Sequence, residues 1–307
     1  MPEETGRVVA VQAEVQYQPA EIAGQCVRVS ANPAVLPWCT SPPPDEPLPD
    51  GASRLLVVVH GALRDAGRYL EHARAAAREG ASRTFIVAPQ FLADVDLRGG
   101  PEPWPGTLYW DAEGWKGGGQ ALGAARLSSF TVMDRLLGQL TAADRWPPGR
   151  PPEVVVYGNS AGGQYVNRYA AVGREPDHLA ERGIAVRFVI SNPSTYLYFT
   201  DEHRWRYGFR DAPAYVGGDA RASRRRYLGR DVTMVLGRKD SDSASLLLET
   251  GPEAMSQGAN RYERGLNYHA YLGGFGGRHR LIELDGVGHA AADVMAAAPV
   301  RELLFGE

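Results

Sequence analysis

The chain has 307 residues, of which 44% are hydrophobic and 22% are charged, and its formal net charge is −3. This composition is typical of a soluble globular protein. A charge so close to zero gives no general attraction to nucleic acid or to an anionic membrane, and no apolar run is long enough to span a bilayer. The length allows one large domain or two small ones.

The first 50 residues are predicted to precede the core of the fold. Apolar and polar residues alternate over 7–16, which predicts a half-exposed strand, and a second strand is predicted over 24–30. The proline-rich stretch over 41–51 (SPPPDEPLPDG) lacks several backbone donors and has many fixed φ angles. We therefore expect it to be an exposed loop.

The cysteines and the first residues bear on the cellular compartment. Cys26 and Cys39 are too few for a disulfide scaffold, and they either pair with each other or are two separate thiols. The start of the chain, MPEETGRVV, lacks the basic residues and the apolar stretch of a signal peptide. The sequence therefore predicts a cytoplasmic protein.

Several apolar runs predict fully buried strands, and segments with helical spacing lie between most of them. The strands are predicted over 55–60, 84–88, 154–158, 185–191, 232–236 and 280–284. The helices are predicted over 66–79, 128–140, 259–272 and 290–304, with a further helix starting near residue 161. Strands buried on both faces are typical of parallel sheets covered by helices, so we expect an α/β fold. In the helix over 259–272, we expect Arg261, Arg264 and His269 to lie on a polar surface.

Two long stretches contain no predicted buried element. Residues 99–123 are rich in glycine, proline and tryptophan, and residues 197–230 interleave aromatic side chains with arginines. Long irregular segments in a compact domain are usually functional. We expect 99–123 to lie over the carboxyl end of the sheet, where ligands bind in doubly wound folds. A basic aromatic segment can bind single-stranded nucleic acid, but the near-neutral charge of the chain favours a lid over 197–230.

The segment 153–168 (EVVVYGNSAGGQYVNR) joins a buried strand directly to a helix through GNSAG, a Gly-x-Ser-x-Gly pattern. A strand that turns at once into a helix strains the central residue, and a Cβ at either flanking glycine would meet the neighbouring backbone. This turn lifts the Ser160 hydroxyl clear of the sheet and aims the Ala161 N–H at an incoming oxyanion. Because such a short pattern also arises by chance, Ser160 needs partners elsewhere in the chain.

A second candidate loop follows the predicted strand over 55–60. It begins with His60-Gly61-Ala62, and a small residue at this place lets the next backbone N–H approach a substrate oxygen closely. Taken alone, the pattern is explained more simply by a strand that ends at glycine, with His60 as a hydrogen-bonded core histidine.

Candidates for an acid and a base also follow predicted strands. Asp240 and Asp242 come after the strand over 232–236, and His289 comes after the last strand. Nucleophile, then acid, then histidine is the order of one serine-hydrolase fold, and the other folds use different orders. We favour Asp240 as the acid, because Asp242 precedes a helix predicted over 244–249 and suits its N-terminal cap. The alternative is Asp242 as the acid, with Asp240 a solvated carboxylate of the turn.

These features resemble the α/β-hydrolase superfamily over residues 50–307. In its bacterial esterase and polyester-depolymerase-like branch, the strand–helix turn that carries the nucleophile, called the elbow, often reads Gly-x-Ser-Ala-Gly-Gly, as residues 158–163 do. GRKD at 237–240 and GVGH at 286–289 resemble the acid and base turns of that fold. The resemblance implies a single domain with a mostly parallel central sheet flanked by helices. The chain lacks the visible signal peptide and the substrate-binding module of secreted depolymerases.

The resemblance also implies a carboxylesterase that needs no cofactor and no metal. Ser160 would attack the ester carbonyl, His289 would accept the serine proton, and Asp240 would orient the histidine. The N–H groups of Ala62 and Ala161 would form an oxyanion hole. The histidines and cysteines show no His-x-x-x-His or Cys-x-x-Cys spacing of a metal site.

The expected partner is a small-molecule ester, and the oligomeric state is left open. Gly61, Trp110, Trp115, Trp205 and Tyr207 are predicted to line the binding pocket, since large aromatic side chains supply shape without charge. The aromatic residues fit ordinary core positions equally well. An amidase or peptidase of the same fold is an alternative function, and so is a non-catalytic binding protein.

Overall fold

The computed structural model describes residues 27–30, 34–42, 46–98, 104–147, 149–245 and 247–306. The strand predicted over 7–16, the first part of the strand predicted over 24–30, and Cys26 lie outside these residues. Cys39 is disulfide-bonded.

The described residues form ten strands, nine α-helices and four short 3₁₀ helices. The strands are β1 (Val27–Ser30), β2 (Val35–Ser41), β3 (Arg54–Val59), β4 (Thr84–Pro89), β5 (Leu92–Ala93), β6 (Tyr109–Trp110), β7 (Glu153–Asn159), β8 (Val186–Ser191), β9 (Asp231–Gly237) and β10 (Arg280–Leu284). The α-helices are α1 (Ala66–Ala77), α2 (Ser129–Leu140), α3 (Ala161–Val172), α4 (Glu175–Glu181), α5 (Ala220–Leu228), α6 (Pro252–Met255), α7 (Arg261–Gly273), α8 (Ala291–Ala296) and α9 (Ala298–Phe305). The 3₁₀ helices are Arg78–Arg83, Asp94–Leu97, Trp115–Gly117 and Ala143–Arg145. No helix in the described ranges has the length and apolar character needed to cross a bilayer.

In the described part of the chain, eight strands form one sheet in the order β1-β2-β4-β3-β7-β8-β9-β10. The run from β4 to β10 is parallel throughout, and β1 and β2 extend one edge in antiparallel fashion. The remaining strands, β5 and β6, form a separate parallel pair. The predicted mostly parallel central sheet is therefore confirmed.

Side chains of the central strands alternate between two hydrophobic cores, one on each face of the sheet. In β3, Leu55 and Val57 belong to the first core, whereas Leu56 and Val58 belong to the second. Residues of α2, α3, α5 and α7 complete the first core, and residues of α1, α8 and α9 complete the second. Because both faces are covered, these strands carry apolar residues at consecutive positions and not only at alternate ones.

The single helix predicted over 290–304 is instead two helices, α8 and α9. The chain breaks at Ala297, whose ψ of 132° is extended, and Pro299 lies in the first turn of α9. Proline lacks an N–H group, and its ring clashes with the carbonyl one turn earlier, so it fits the first turn of a helix but not the interior.

The segment 197–230 contains more buried structure than the sequence predicted. Helix α5 lies within it, and Leu197, Phe209 and Tyr227 are buried in the first core. Strand β2 also has no counterpart among the predicted elements, because Pro37 within it is typical of a break. Pro37 has no N–H to donate, but its carbonyl accepts a hydrogen bond from the Gln90 N–H at 2.9 Å.

Candidate active site

The sheet brings the ends of its parallel strands together at one edge. The register pairs Val59 with Gly158, Asn159 with Ser191, Ser191 with Val235, and Gly237 with Leu284. Because neighbouring parallel strands end side by side, the loops that follow them are neighbours at the edge where α/β proteins bind ligands. These loops carry Gly61, Ser160, Asp240 and His289.

Ser160 lies in a strained turn between β7 and α3. Its φ of 59° and ψ of −121° are in a region that residues with a Cβ rarely adopt. A Cβ on Gly158 would lie 2.2 Å from the Gly162 carbonyl oxygen, and a Cβ on Gly162 would lie 2.2 Å from the Val59 carbonyl oxygen. Only glycine fits at these two positions, which is the physical basis of the Gly-x-Ser-x-Gly pattern.

The backbone of Ser160 joins the sheet to the start of α3. Its N–H donates to the Ser191 carbonyl at 3.0 Å, and its carbonyl accepts the Gln164 N–H at 3.0 Å. The Ser160 side chain makes no capping hydrogen bond to the helix. Ala161 is the first residue of α3, so its N–H lies at the positive end of the helix dipole, where negative charge is stabilised.

The loop after β3 lies beside Ser160. A Cβ on Gly61 would lie 3.8 Å from the Ser160 Cβ and 2.6 Å from the Tyr69 hydroxyl, so the space suits glycine. The next carbonyl, that of Ala62, accepts a hydrogen bond from Arg64 Nη1 at 2.6 Å. Arg64 is buried and forms an ion pair of its own. These contacts hold the loop that carries the Ala62 N–H.

His60 is a fully buried core histidine. Its Nε2 accepts a hydrogen bond from the Phe91 N–H at 3.0 Å, which leaves its Nδ1 to donate to the Gly61 carbonyl at 2.9 Å. Burial lowers the pKa of His60 to about 4, so the ring is neutral at physiological pH. Its contacts fit the simpler explanation given above, and they hold Gly61 in place.

Asp240 lies against His289. The distance from Asp240 Oδ2 to His289 Nδ1 is 2.6 Å, a contact through which a carboxylate fixes the imidazole tautomer. Asp240 is 5% exposed, whereas the His289 side chain is 31% exposed and can be reached from solvent. Asp242 is exposed, and its Oδ1 accepts the Ala244 N–H at 2.8 Å. The helix predicted over 244–249 does not form in the described residues, so Asp242 caps a turn.

Two asparagines that the sequence did not single out hold the histidine loop. Asn159 Nδ2 donates to the His289 carbonyl at 3.1 Å. Asn192 Nδ2 donates to the Gly288 carbonyl at 3.1 Å, and its Oδ1 accepts the Gly237 N–H at 2.9 Å. Asn192 has a φ of 42°, a left-handed conformation that asparagine tolerates better than most side chains. In the sequence, only the position of both asparagines at strand ends could have indicated this role.

The aromatic residues predicted to line a pocket fall into two groups. Trp110 and Trp115 are 0% and 1% exposed and belong to the first core. Their full burial corresponds to the core alternative, because neither ring has surface to offer a ligand. Trp205 and Tyr207 are half-buried, and the Trp205 indole donates to the Gly117 carbonyl at 2.7 Å. These two side chains remain candidates for a pocket wall.

A partly buried ionic cluster joins α3 to the segments that carry those aromatic residues. Glu249 Oε1 accepts hydrogen bonds from Gln164 Nε2 at 2.6 Å and Lys116 Nζ at 3.3 Å, and Oε2 accepts one from the Tyr207 hydroxyl at 2.6 Å. Burial raises the pKa of Glu249, but Lys116, Arg168 and the hydrogen bonds outweigh burial and lower the pKa to about 2. Glu249 is therefore ionised at physiological pH. Its partner Gln164 lies about one helical turn after Ser160 on α3, so the carboxylate is close to the start of that helix.

Arg261 and Arg264 are buried, so the prediction that α7 presents them on a polar surface is wrong. They are 1% and 0% exposed. Arg264 donates to the carbonyls of Ser194 at 2.7 Å, Gly258 at 2.8 Å and Glu249 at 2.9 Å. A guanidinium offers five donors in one plane, so it can satisfy several loop carbonyls at once. Helical spacing cannot reveal such a role, because arginine counts as polar in any pattern.

The arrangement has the parts required for nucleophilic acyl transfer. A strained serine at a helix N-terminus follows β7, and a solvent-accessible histidine with a buried carboxylate follows β10 and β9, at the same edge of the sheet. Such groups can activate a hydroxyl and stabilise an oxyanion. Within the described ranges, no three or more His, Cys, Asp or Glu side chains are grouped as metal ligands.

The chain has the α/β-hydrolase fold, as its motifs predicted, and solved structures of hydrolases share it. The structure is similar to poly(aspartic acid) hydrolase-1 from Sphingomonas sp. KT-1, with a TM-score of 0.68 and 22% identity over 91% of this chain and 97% of that one. It is also similar to the poly(3-hydroxybutyrate) depolymerase from Bordetella parapertussis, with a TM-score of 0.67 and 22% identity over 96% of each chain. A fluorophosphonate-binding serine hydrolase from Staphylococcus aureus has a TM-score of 0.50 and 11% identity over 91% of this chain and 95% of that one. No protein-family model and no curated protein matches the chain.

Proposed function

We propose that the protein is a serine hydrolase that cleaves a carboxylic ester through an acyl-enzyme intermediate. The observation that carries the proposal is the 2.6 Å contact between Asp240 Oδ2 and His289 Nδ1, at the strand edge where the strained Ser160 lies. Proteins of the same fold that are named as hydrolases support this chemistry.

In the first half-reaction, Ser160 Oγ attacks the ester carbonyl carbon while His289 Nε2 accepts the hydroxyl proton. The tetrahedral oxyanion then accepts hydrogen bonds from the N–H groups of Ala62 and Ala161. When the intermediate collapses, the C–O bond to the alcohol breaks, the alcohol takes the proton from His289, and the acyl group stays on the serine. The Asp240 carboxylate stabilises the imidazolium.

In the second half-reaction, water replaces the alcohol. His289 takes a proton from the water as its oxygen attacks the acyl carbon, and the carboxylic acid leaves while Ser160 recovers its proton. The exposed 31% of the His289 side chain gives water access to the imidazole.

We propose a small-molecule ester as the substrate, with Trp205, Tyr207 and the rest of 197–230 as a lid over it. Amide hydrolysis is the second candidate, because the two most similar structures described above are named for poly(aspartic acid), an amide polymer, and poly(3-hydroxybutyrate), an ester polymer. An ester and an anilide of one acyl group distinguish the candidates, since the proposed esterase should cleave the ester with the far larger kcat/KM.

The nucleophile can be tested before the natural substrate is known. A fluorophosphonate probe should label the wild-type protein at Ser160, and Ser160→Ala should abolish labelling and lower ester turnover by a factor of about 10⁴–10⁶. The melting temperature should change little, because one oxygen atom is lost. Ser243→Ala, at an exposed serine of the turn after β9, is the matched control and should label normally. Normal labelling of Ser160→Ala would show that a different residue is the nucleophile.

A further inference from the structure

A buried guanidinium lies behind the carboxylate of Asp240. Arg261 Nη1 is 3.4 Å from Asp240 Oδ1 and 3.1 Å from Ser245 Oγ. Asp240 thus uses one carboxylate oxygen toward His289 and the other toward Arg261. The arginine is 1% exposed and cannot contact a substrate itself.

Most features of the position of Arg261 disfavour a cation, and the contact with Asp240 is the largest that favours one. Its Nε and Nη2 atoms have no hydrogen-bond partner among the described residues. It is the first residue of α7, where the helix dipole disfavours positive charge. Burial also lowers the pKa of Arg261, and the contact with Asp240 opposes that effect. The ion pair with Asp240 is therefore the interaction that explains a guanidinium at this position.

We propose that Arg261 is a positioning residue for the triad, which orients the Asp240 carboxylate toward His289 and sets the pH range in which His289 acts as a base. The inference rests on the proposed serine hydrolase function and adds to it a residue that acts through Asp240.

The physical reason has a geometric and an electrostatic part. A carboxylate held at both oxygens is restrained from rotating away from the imidazole, so the histidine keeps its productive orientation. The guanidinium charge also offsets part of the negative potential of Asp240 at His289. A carboxylate without that counter-charge would stabilise the imidazolium more strongly and would keep the base protonated, and inactive, up to a higher pH.

The other charged groups near this pair are less suited to the role. Arg261 interacts electrostatically with Asp242 and Glu249 as well as with Asp240, but Asp242 is exposed and screened by solvent, and Glu249 is paired with Lys116. Among the described residues, further titratable or charged groups around the pair include Arg264 and Tyr262 on α7, the buried Tyr196 near Asp240, and the exposed Lys239 of the turn.

The test is the rate of fluorophosphonate labelling of Ser160, measured from about pH 5 to about pH 9, which follows the base without a known substrate. For Arg261→Met, we expect the acid limb of the profile to move up by about half to one pH unit and the plateau rate to fall about tenfold. For Arg261→Lys, which keeps the charge but not the planar fork, we expect a lower plateau on an acid limb close to that of the wild type.

Arg264→Met is the matched control. Arg264 lies on the same helix and is equally buried, but its hydrogen bonds go to backbone carbonyls and to the Met255 sulfur. This variant should lose thermal stability while its acid limb stays where the wild type has it. A purely structural role for Arg261 predicts the same result for both arginines.

An acid limb of Arg261→Met that coincides with the wild-type limb overturns the proposal, and so does an equal shift in Arg264→Met. If Arg261→Met does not fold, Arg261→Lys decides: a lower plateau on an unmoved acid limb supports the proposal, and an unchanged plateau overturns it. If the wild type is not labelled at Ser160 at any pH, the serine hydrolase function itself fails, and the role of Arg261 fails with it.

Discussion

Asp240 and Asp242 are two residues apart in the turn after β9, yet their surroundings differ. Asp240 is buried between His289 and Arg261. Asp242 is exposed and accepts one N–H of its own turn. A buried carboxylate against an imidazole stabilises the imidazolium that forms during catalysis, whereas an exposed one in a turn acts on local structure alone.

Asp240→Asn should therefore lower kcat by about 10⁴-fold, because an amide favours the wrong imidazole tautomer and carries no charge. Asp242→Asn is the matched control, since asparagine caps a turn about as well as aspartate does. It should keep turnover near that of the wild type and unfolding free energy within about 0.5 kcal/mol. Steady-state kinetics on both variants checks the assignment, and an inactive Asp242→Asn beside an active Asp240→Asn would reverse it.

Residues of the candidate site differed in how far the sequence could indicate them. Ser160 and His289 stood in short patterns after apolar strands, so local patterns and their order in the chain marked them as candidates. Asn192 bonds to Gly288, 96 residues away, and no local pattern marks such a partner. The tryptophans of the irregular segment show a different limit, because composition reveals a large apolar side chain but not which atoms cover it.

At the scale of elements, α3 depends on the glycines of its first turn. All of its residues are buried, from Ala161 to Val172. A Cβ on Gly163 would lie 2.5 Å from the Ser191 carbonyl oxygen, as one on Gly162 would meet that of Val59. Backbone atoms of two strands thus line the start of the helix, and they cannot move aside as the end of a flexible side chain can.

Gly162→Ala should lower the unfolding free energy by about 3 kcal/mol, because the added methyl group meets fixed backbone and not a flexible side chain. Gly273→Ala, at the end of α7, meets nothing within 4 Å and should be neutral or raise stability by about 0.5 kcal/mol. Urea denaturation with an unchanged m-value measures both. Equal stability of the two variants would mean that the elbow can relax around a side chain.

Prediction of whole elements succeeded where burial alone determines the sequence. The inner strands β3, β4 and β7 are buried at nearly every position. The edge strand β10 has the predicted bounds of 280–284 but not the predicted full burial, because Arg280 is exposed and Leu281 and Glu283 are half-buried. The break between α8 and α9 was missed because the alanines on both sides continue a helical pattern. Helix α5 was not predicted because its many arginines leave no continuous apolar stripe in the sequence.

At the scale of the whole molecule, Glu249 connects segments that are distant in the chain. Its carboxylate contacts Lys116 of the irregular segment, Gln164 of α3 and Tyr207 of the proposed lid. Its backbone N–H is bound by Ser194 Oγ at 2.8 Å, beyond the end of β8. The side chain is 19% exposed, so solvent screens these contacts only partly.

The pKa of Glu249 gives this connection a pH dependence. Burial raises the pKa, but Lys116, Arg168 and two hydrogen bonds lower it overall from 4.5 to about 2. The folded protein therefore holds the proton less tightly than the unfolded chain does. The resulting stability is fully present above pH 4.5 and is lost as the pH falls through about 2. The difference between the two pKa values corresponds to about 3 kcal/mol of unfolding free energy.

Glu249→Gln should accordingly lower the unfolding free energy by about 2–3 kcal/mol at neutral pH, because the amide keeps the shape but not the charge. The difference in unfolding free energy between variant and wild type should narrow as the pH falls below about 4.5, where the ionised carboxylate begins to stabilise the wild type less. Glu71→Gln, at an exposed glutamate of α1, is the matched control and should show little difference at any pH. Urea unfolding at several pH values measures all three proteins. If the difference in unfolding free energy stays constant down to acid pH, the lost stability comes from packing and hydrogen bonding of the glutamate and not from its charge.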